Sequence, residues 1–244
     1  DKDLYVNLFI SNEADINIGK NPVKVVQEAN FPWDGKVKIT VFPGKPAGFS
    51  VKVRIPGWVQ NEAIPGNLYR FEDKANEPYS ITINGEPFKA IVENGYAEIE
   101  RKWKEGDNIE IYFPMPVRTV VADERVADDK GKIAVQRGPV IYCAEWPDNN
   151  TGNILNLLID KDNQPVSEFV PSLLNGTQII KTRGFQTYRK TDGKIEKLPE
   201  ETVTLIPYAL WNNRGPGQMR VWLPVTEESA NPISENELNK IIYR

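Results

Sequence analysis

Tyr79-Ser80-Ile81-Thr82-Ile83-Asn84-Gly85 opens the stretch that decides the fold, which runs on to Phe113. Apolar and polar residues alternate up to Asn84-Gly85, a pair suited to the two positive-φ positions of a type I′ hairpin turn. Phe88 to Val92 then reads as the returning strand. Asn94-Gly95 repeats the turn signal and Tyr96-Ala97-Glu98-Ile99-Glu100 the alternation. Gly106-Asp107 turns the chain again, and Asn108-Ile109-Glu110-Ile111-Tyr112-Phe113 adds a further strand. A period of two gives each strand one buried and one wet face. Turn signals every 8–12 residues or so mark an antiparallel sandwich or barrel.

Upstream, the same period runs through Lys36-Val37-Lys38-Ile39-Thr40-Val41 and Ser50-Val51-Lys52-Val53-Arg54-Ile55, the second stopped by Pro56-Gly57. Leu4-Tyr5-Val6-Asn7-Leu8-Phe9-Ile10 is another strand-like run. It follows Asp1-Lys2-Asp3 with no initiator Met, which reads as a boundary inside a longer protein. Downstream, Pro114 and Pro116 punctuate the unit, and residues 118–132 read as a crossing segment. A second β unit follows in 133–135, 140–144, 153–159, 203–208 and 219–223, with a charged loop or hairpin at 183–200. Ser234 and Glu237 have capping-box spacing, and Leu238, Ile241 and Ile242 share a helical face. The expected fold is all-β, with two antiparallel β-sandwich units in tandem, 1–117 and 118–226, and a linker or short helix at 227–244.

The chain of 244 residues has no histidine and a single cysteine, Cys143. A Ser-His-Asp triad, a Cys-His pair and most zinc sites are thereby excluded. A net charge of −4 gives no electrostatic case for nucleic acid, and no apolar run approaches the ~20 residues of a membrane helix. The lone cysteine excludes an internal disulfide but leaves the compartment open: periplasmic or extracellular in a bacterium is the expectation, cytoplasmic the alternative.

Glu93, Glu98, Glu100, Asp123, Glu124 and Glu145 are the carboxylates available for glycoside hydrolysis, but on alternating strands such residues form the solvated face. Asp160-Lys161-Asp162-Asn163-Gln164 fails the calcium-loop pattern, with Pro165 and Pro171 where Gly and Glu are needed, and reads as a surface turn. Cys143, between Tyr142 and Ala144, reads as a small buried hydrophobe. Asn149-Asn150-Thr151 and Asn175-Gly176-Thr177 mark surface loops. Trp33 and Trp58 read as packing residues. Trp211-Asn212-Asn213-Arg214-Gly215-Pro216-Gly217 is different: an indole among amides and an arginine fits either sugar stacking or interface packing. Arg137, before Gly138-Pro139, either anchors a neighbouring domain through a carboxylate or caps a turn.

Five segments occur in a telling order: Leu4 to Ile10, Phe31-Pro32-Trp33-Asp34-Gly35, Arg54-Ile55-Pro56-Gly57-Trp58, Gln136 to Glu145, and Trp211 to Gly217. With them the chain, over about residues 1–226, resembles the C-terminal half of the β-L-arabinofuranosidases of glycoside hydrolase families 127 and 146, many from gut Bacteroides-type bacteria. The resemblance implies an N-terminal catalytic (α/α) barrel. Its nucleophilic cysteine sits on a zinc ion held by further cysteines and a glutamate, all lying before the Leu4–Leu8 strand. Cys143 corresponds to a cysteine of the β-sandwich region, so no catalytic residue is carried over. This chain is thus expected to be a non-catalytic region with no metal or cofactor of its own. Its partner would be the barrel, whose substrate is an arabinose-containing glycan, and Trp211, Asn212, Asn213, Arg214 and Arg137 are the candidates for substrate or barrel contact. An autonomous carbohydrate-binding module, a purely structural interaction domain and, last, a self-sufficient carboxylate hydrolase are the rival readings.

Overall fold

A computed structural model describes residues 3–149 and 153–242, without the side chains of Ile241 and Ile242. The expected helical face at Ile241 and Ile242, and Asn150-Thr151 of the first expected surface loop, therefore lie outside the description. The chain is all-β with one short α-helix, Glu235–Ile242. No described helix is long and apolar enough to cross a membrane. Two compact units are present: residues 1–65 with 74–116, and residues 66–73 with 117–244.

The first unit is a two-sheet sandwich. One sheet runs in the order Asp3–Val6, Ala47–Arg54, Tyr96–Trp103, Val92–Glu93. The other runs Asn12–Ile18, Asn21–Ala29, Lys36–Pro43, Asp107–Tyr112, Ser80–Ile83, Glu86–Pro87. Alternation sends Val51, Val53, Ala97, Ile99 and Trp103 inward from the first sheet, and Ile39, Val41, Ile81, Ile109 and Ile111 from the second, into a single core. Trp103 is fully buried, stacks on Phe49 with ring centroids 5.8 Å apart and donates its indole N–H to the Phe49 carbonyl at 2.9 Å. Each such large side chain removed from water contributes about 1.5–3 kcal/mol. Gly35 is obligatory because a Cβ there would overlap the Phe113 carbonyl.

Asn84 (φ 54°) and Gly85 (φ 84°) form the expected turn, pairing Ile83 with Glu86. The return strand is Glu86–Pro87, ahead of the expected one: Phe88 to Ile91 lie outside any strand, and Val92 belongs to a separate strand, Val92–Glu93. Likewise only Asp3–Val6 of the Leu4–Ile10 run is a strand, and it pairs parallel to Ala47–Arg54. Asn12–Ile18 and Asn21–Ala29 form a hairpin that the sequence reading passed over.

The second unit encloses its core with one continuous, curled sheet of twelve strands. Its main order is Leu157–Ile159, Thr177–Arg189, Glu201–Pro207, Val140–Glu145, Lys132–Arg137, Val117–Ala122, Tyr69–Phe71. Two expectations change here. Residues 117–122 are a strand within the sheet rather than part of a crossing segment. Residues 66–73, read as part of the first unit, pack with the second. There the Tyr69–Phe71 strand pairs Val120–Ala122, and Arg118 stacks its guanidinium on Phe71 at 3.5 Å. Thr177–Arg189, with Ile195–Lys197, forms the hairpin around 183–200. The helix begins on the predicted capping box: Ser234 Oγ and Glu237 Oε2 are 2.7 Å apart, and the Ser234 backbone N–H donates to the same carboxylate oxygen at 2.9 Å.

Candidate functional site

The strand Val140–Glu145 is flanked on one side by Glu201–Pro207, with Ala144 opposite Leu205. On the other side lies Met219–Arg220, with Ala144 opposite Arg220. The chain between these two flanking strands must therefore arch over the end of the central one. That arch is the 208–218 loop. Asn212 (φ 62°) and Gly215 (φ 98°) supply the left-handed turns it needs.

Arg214 locks the loop. Its two terminal nitrogens grip both Asp148 carboxylate oxygens at 2.5 Å, a fork-to-fork pair, and Nη2 also binds Glu145 Oε2. Glu145 Oε1 accepts the Asn212 backbone N–H at 2.8 Å. Glu145 is 1% exposed, and the guanidinium offsets the cost of burying its carboxylate. Hydrogen bonding to Asp148 foremost, then to Glu145, raises the Arg214 pKa and holds its charge against the opposing effect of burial. Asn149 secures the neighbouring turn by donating to the Glu145 and Thr204 carbonyls and accepting the Thr204 N–H at 3.0 Å. Gly217 lies so close to Trp146 that a Cβ would overlap the indole.

On this rigid base two rings stand out in solvent. Tyr208 and Trp211 lie nearly parallel, 13° between planes and 6.3 Å between centroids, and are 45% and 36% exposed. Asn213 turns its amide inward, donating to the Leu210 carbonyl at 2.9 Å. The loop thus offers an apolar ring pair, followed in the chain by the exposed Asn212.

Trp211, Asn212, Asn213 and Arg214 fall in one place, as expected, but in different roles: Trp211 is presented, whereas Arg214 and Asn213 are spent on holding the loop. Arg137 is elsewhere. It pairs with Val140 at the far end of the central strand, about 17 Å from Glu145 at strand rise, and its side chain serves the buried Tyr142 hydroxyl. Burial pushes that phenol up to about 12. Tyr208, Glu145 and Asp148 were not named as loop residues. Their signal was an Asp and a Glu three apart after an apolar strand, and an aromatic three before Trp211.

Cys143 is fully buried, and burial pushes its thiol up to about 12, so it is inert. Asn149 is 6% exposed with its amide engaged, which contradicts its reading as part of a surface loop; Asn175 is exposed, as a surface loop requires. Asp160 makes a turn, accepting the Asp162 N–H at 3.1 Å. Trp58 packs on the first core, 6.1 Å from Phe113. Among the described residues no three Asp, Glu or Cys side chains come together as a metal ion would need.

Residues 3–115 match the profile of the β-L-arabinofuranosidase middle domain of glycoside hydrolase family 127, and residues 117–224 that of the family's C-terminal domain. A curated relative, the non-reducing end β-L-arabinofuranosidase of Bifidobacterium longum subsp. longum, is 31% identical over 230 residues, covering 88% of this chain. Two solved structures are similar. One, a family 127 β-arabinofuranosidase, is 37% identical with a TM-score of 0.89 over 96% of the chain. The other, the family 127 β-L-arabinofuranosidase of Geobacillus stearothermophilus T6, is 34% identical with a TM-score of 0.77 over 92%. The chain spans about a third of the length of each, 32%, 36% and 34%. With one sandwich matching the middle domain and one curled sheet the C-terminal domain, the chain belongs to glycoside hydrolase family 127.

Proposed function

We propose that this chain is the non-catalytic β-rich region of a β-L-arabinofuranosidase-like glycoside hydrolase. In that role it packs on and supports the catalytic domain of its parent protein in the breakdown of arabinose-containing plant polysaccharides. The observation that carries the reading is the 208–217 loop. Two exposed rings held by a buried Arg214–Glu145–Asp148 lock form a preorganised contact surface, and a rigid contact loses little side-chain entropy on binding. The composition supports a non-catalytic role, because a chain without histidine and with one inert thiol offers no nucleophile–base pair. Cys143, sealed in a strand, does not fit the zinc that the family resemblance implies, and we assign that ion to the parent's catalytic domain.

In the full parent enzyme, Trp211→Ala is expected to lower the melting temperature of the catalytic domain or to raise KM for arabinofuranosides, with the fold of the β region intact by circular dichroism. Unchanged kinetics together with unchanged melting would sink the proposal.

A further inference from the structure

The outer face of the six-stranded sheet in the first unit carries a second feature that the loop does not explain. Strand register puts Glu28, Lys38, Glu110 and Thr82 in one row across four adjacent strands, and Lys36, Tyr112 and Ser80 in the next. The first row spans about 14 Å, three interstrand steps, and the second about 10 Å, two steps. Together the rows line a shallow groove of about 400 Å³.

Alternating strands always leave a wet outer face, and a row of charges on it is the ordinary outcome. Three features here go further. The face is concave. A tyrosine, 38% exposed, stands in the middle of its row and offers an aromatic ring to the groove. And the polar groups around it are unspent. Lys38 and Glu110 approach only to 4.0 Å, and among the described residues nothing pairs with the Glu28 carboxylate, the Lys36 ammonium, the Ser80 hydroxyl or the Tyr112 hydroxyl.

The chemistry of the lining selects the occupant. Two carboxylates and two ammonium groups sum to zero charge, so neither a polyanion nor a polycation is favoured. Acceptors (Glu28, Glu110) alternate with donors (Lys36, Lys38), with hydroxyls between them that do both. A ligand matching this must carry many groups that both donate and accept, be uncharged, and present a flat apolar patch to the phenol ring. We propose that this groove binds a neutral oligosaccharide. The sugar's C–H face would lie on Tyr112 and its hydroxyls would bridge Lys38 to Glu110 and Lys36 to Ser80. The site is separate from the 208–217 loop and does not depend on the role proposed for it.

The test is calorimetric titration of the 244-residue chain with arabinan oligosaccharides and, in parallel, with acidic oligogalacturonides. Amide chemical shifts would map where either binds. The expected result is saturable, salt-insensitive binding of the neutral sugars, with shifts at residues 36–38, 80–82 and 110–112. Tyr112→Ala should weaken it roughly tenfold or more. Glu28→Ala, at an exposed position, should weaken it in the same direction. The proposal is overturned by no saturable heat with either sugar, by binding only of the acidic ligand, by shifts confined to residues 208–217, or by affinity unaltered in both variants.

Discussion

At the scale of single residues, Arg214 decides whether the loop exists. It neutralises two carboxylates whose side chains are 2% and 8% exposed, and among the described residues neither has another ion-pair partner. Arg214→Met leaves both charges buried and is expected to destabilise the chain by about 3–5 kcal/mol, measured by urea unfolding. Adding Glu145→Gln and Asp148→Asn to it should recover much of that loss, because the cost lies in stranded charge rather than in missing contacts. If the triple variant is no better than Arg214→Met alone, the lock is a packing element and not an ionic one. The sequence made Trp211–Arg214 conspicuous, since Gly, Pro and amides around an indole stand out locally. It could not show what Arg214 grips. Its partners lie 66 and 69 residues away, and that distance is closed by sheet register, which no local pattern encodes.

Between residue and unit lie the turns. Asp107 ties two of them together: it accepts the Lys104 backbone N–H at 2.8 Å and the Asn84 amide at 2.9 Å, while Asn84 in turn accepts the Asn108 N–H at 2.9 Å. Burial pushes the Asp107 carboxyl up, but these hydrogen bonds and the Arg101 charge at 3.8 Å outweigh it and leave the pKa below its ordinary value. A carboxyl lowered in the folded state stabilises fully above its unfolded value, about 3.9, and loses that contribution as pH falls through the folded value. Asp107→Asn is therefore expected to be less stable than the native chain near neutrality, with the gap narrowing below about pH 4; a gap that stays constant with pH would count against the ionised tether. Turns of this kind were legible because Asn-Gly and Gly-Asp demand particular backbone angles. The Asn12–Ala29 hairpin was not, since Asn, Asp and Pro dilute its strand signal and its pairing is fixed by Val23 and Val25 entering the core. Thr177–Arg189 was read as loop or hairpin from 183 on for a similar reason. Its Gly184 and charges look like loop chemistry, yet the glycine is there because the Leu158 carbonyl passes 2.7 Å from where a Cβ would sit.

For the whole molecule, the instructive feature is the excursion of residues 66–73. The stretch is well fastened in the second unit. Tyr69 stacks on Trp222 at 5.4 Å, Asp123 donates its N–H to the Leu68 carbonyl at 2.7 Å, and Glu72 pairs with Lys161 at 2.7 Å. Residues 117–244 alone would lose these contacts and bare the edge at Val120. Joining residues 66–73 ahead of Val117 through a turn of about two to four residues restores them as a hairpin, since Asp73 lies against Arg118. The joined fragment is expected to melt at least about 5 °C above the bare one; equal melting would mark the excursion as dispensable. The sequence placed its tandem division between residues 117 and 118, just past Pro114 and Pro116 where turn chemistry is loud, and had no means of seeing eight residues lent across that line. The loan also bears on ancestry. A gene rearrangement that cut at residue 116 would hand one descendant a sheet short of its border strand and the other a strand with nowhere to go. The two domains are thus expected to be inherited together, as one heritable cassette, wherever the excursion is retained.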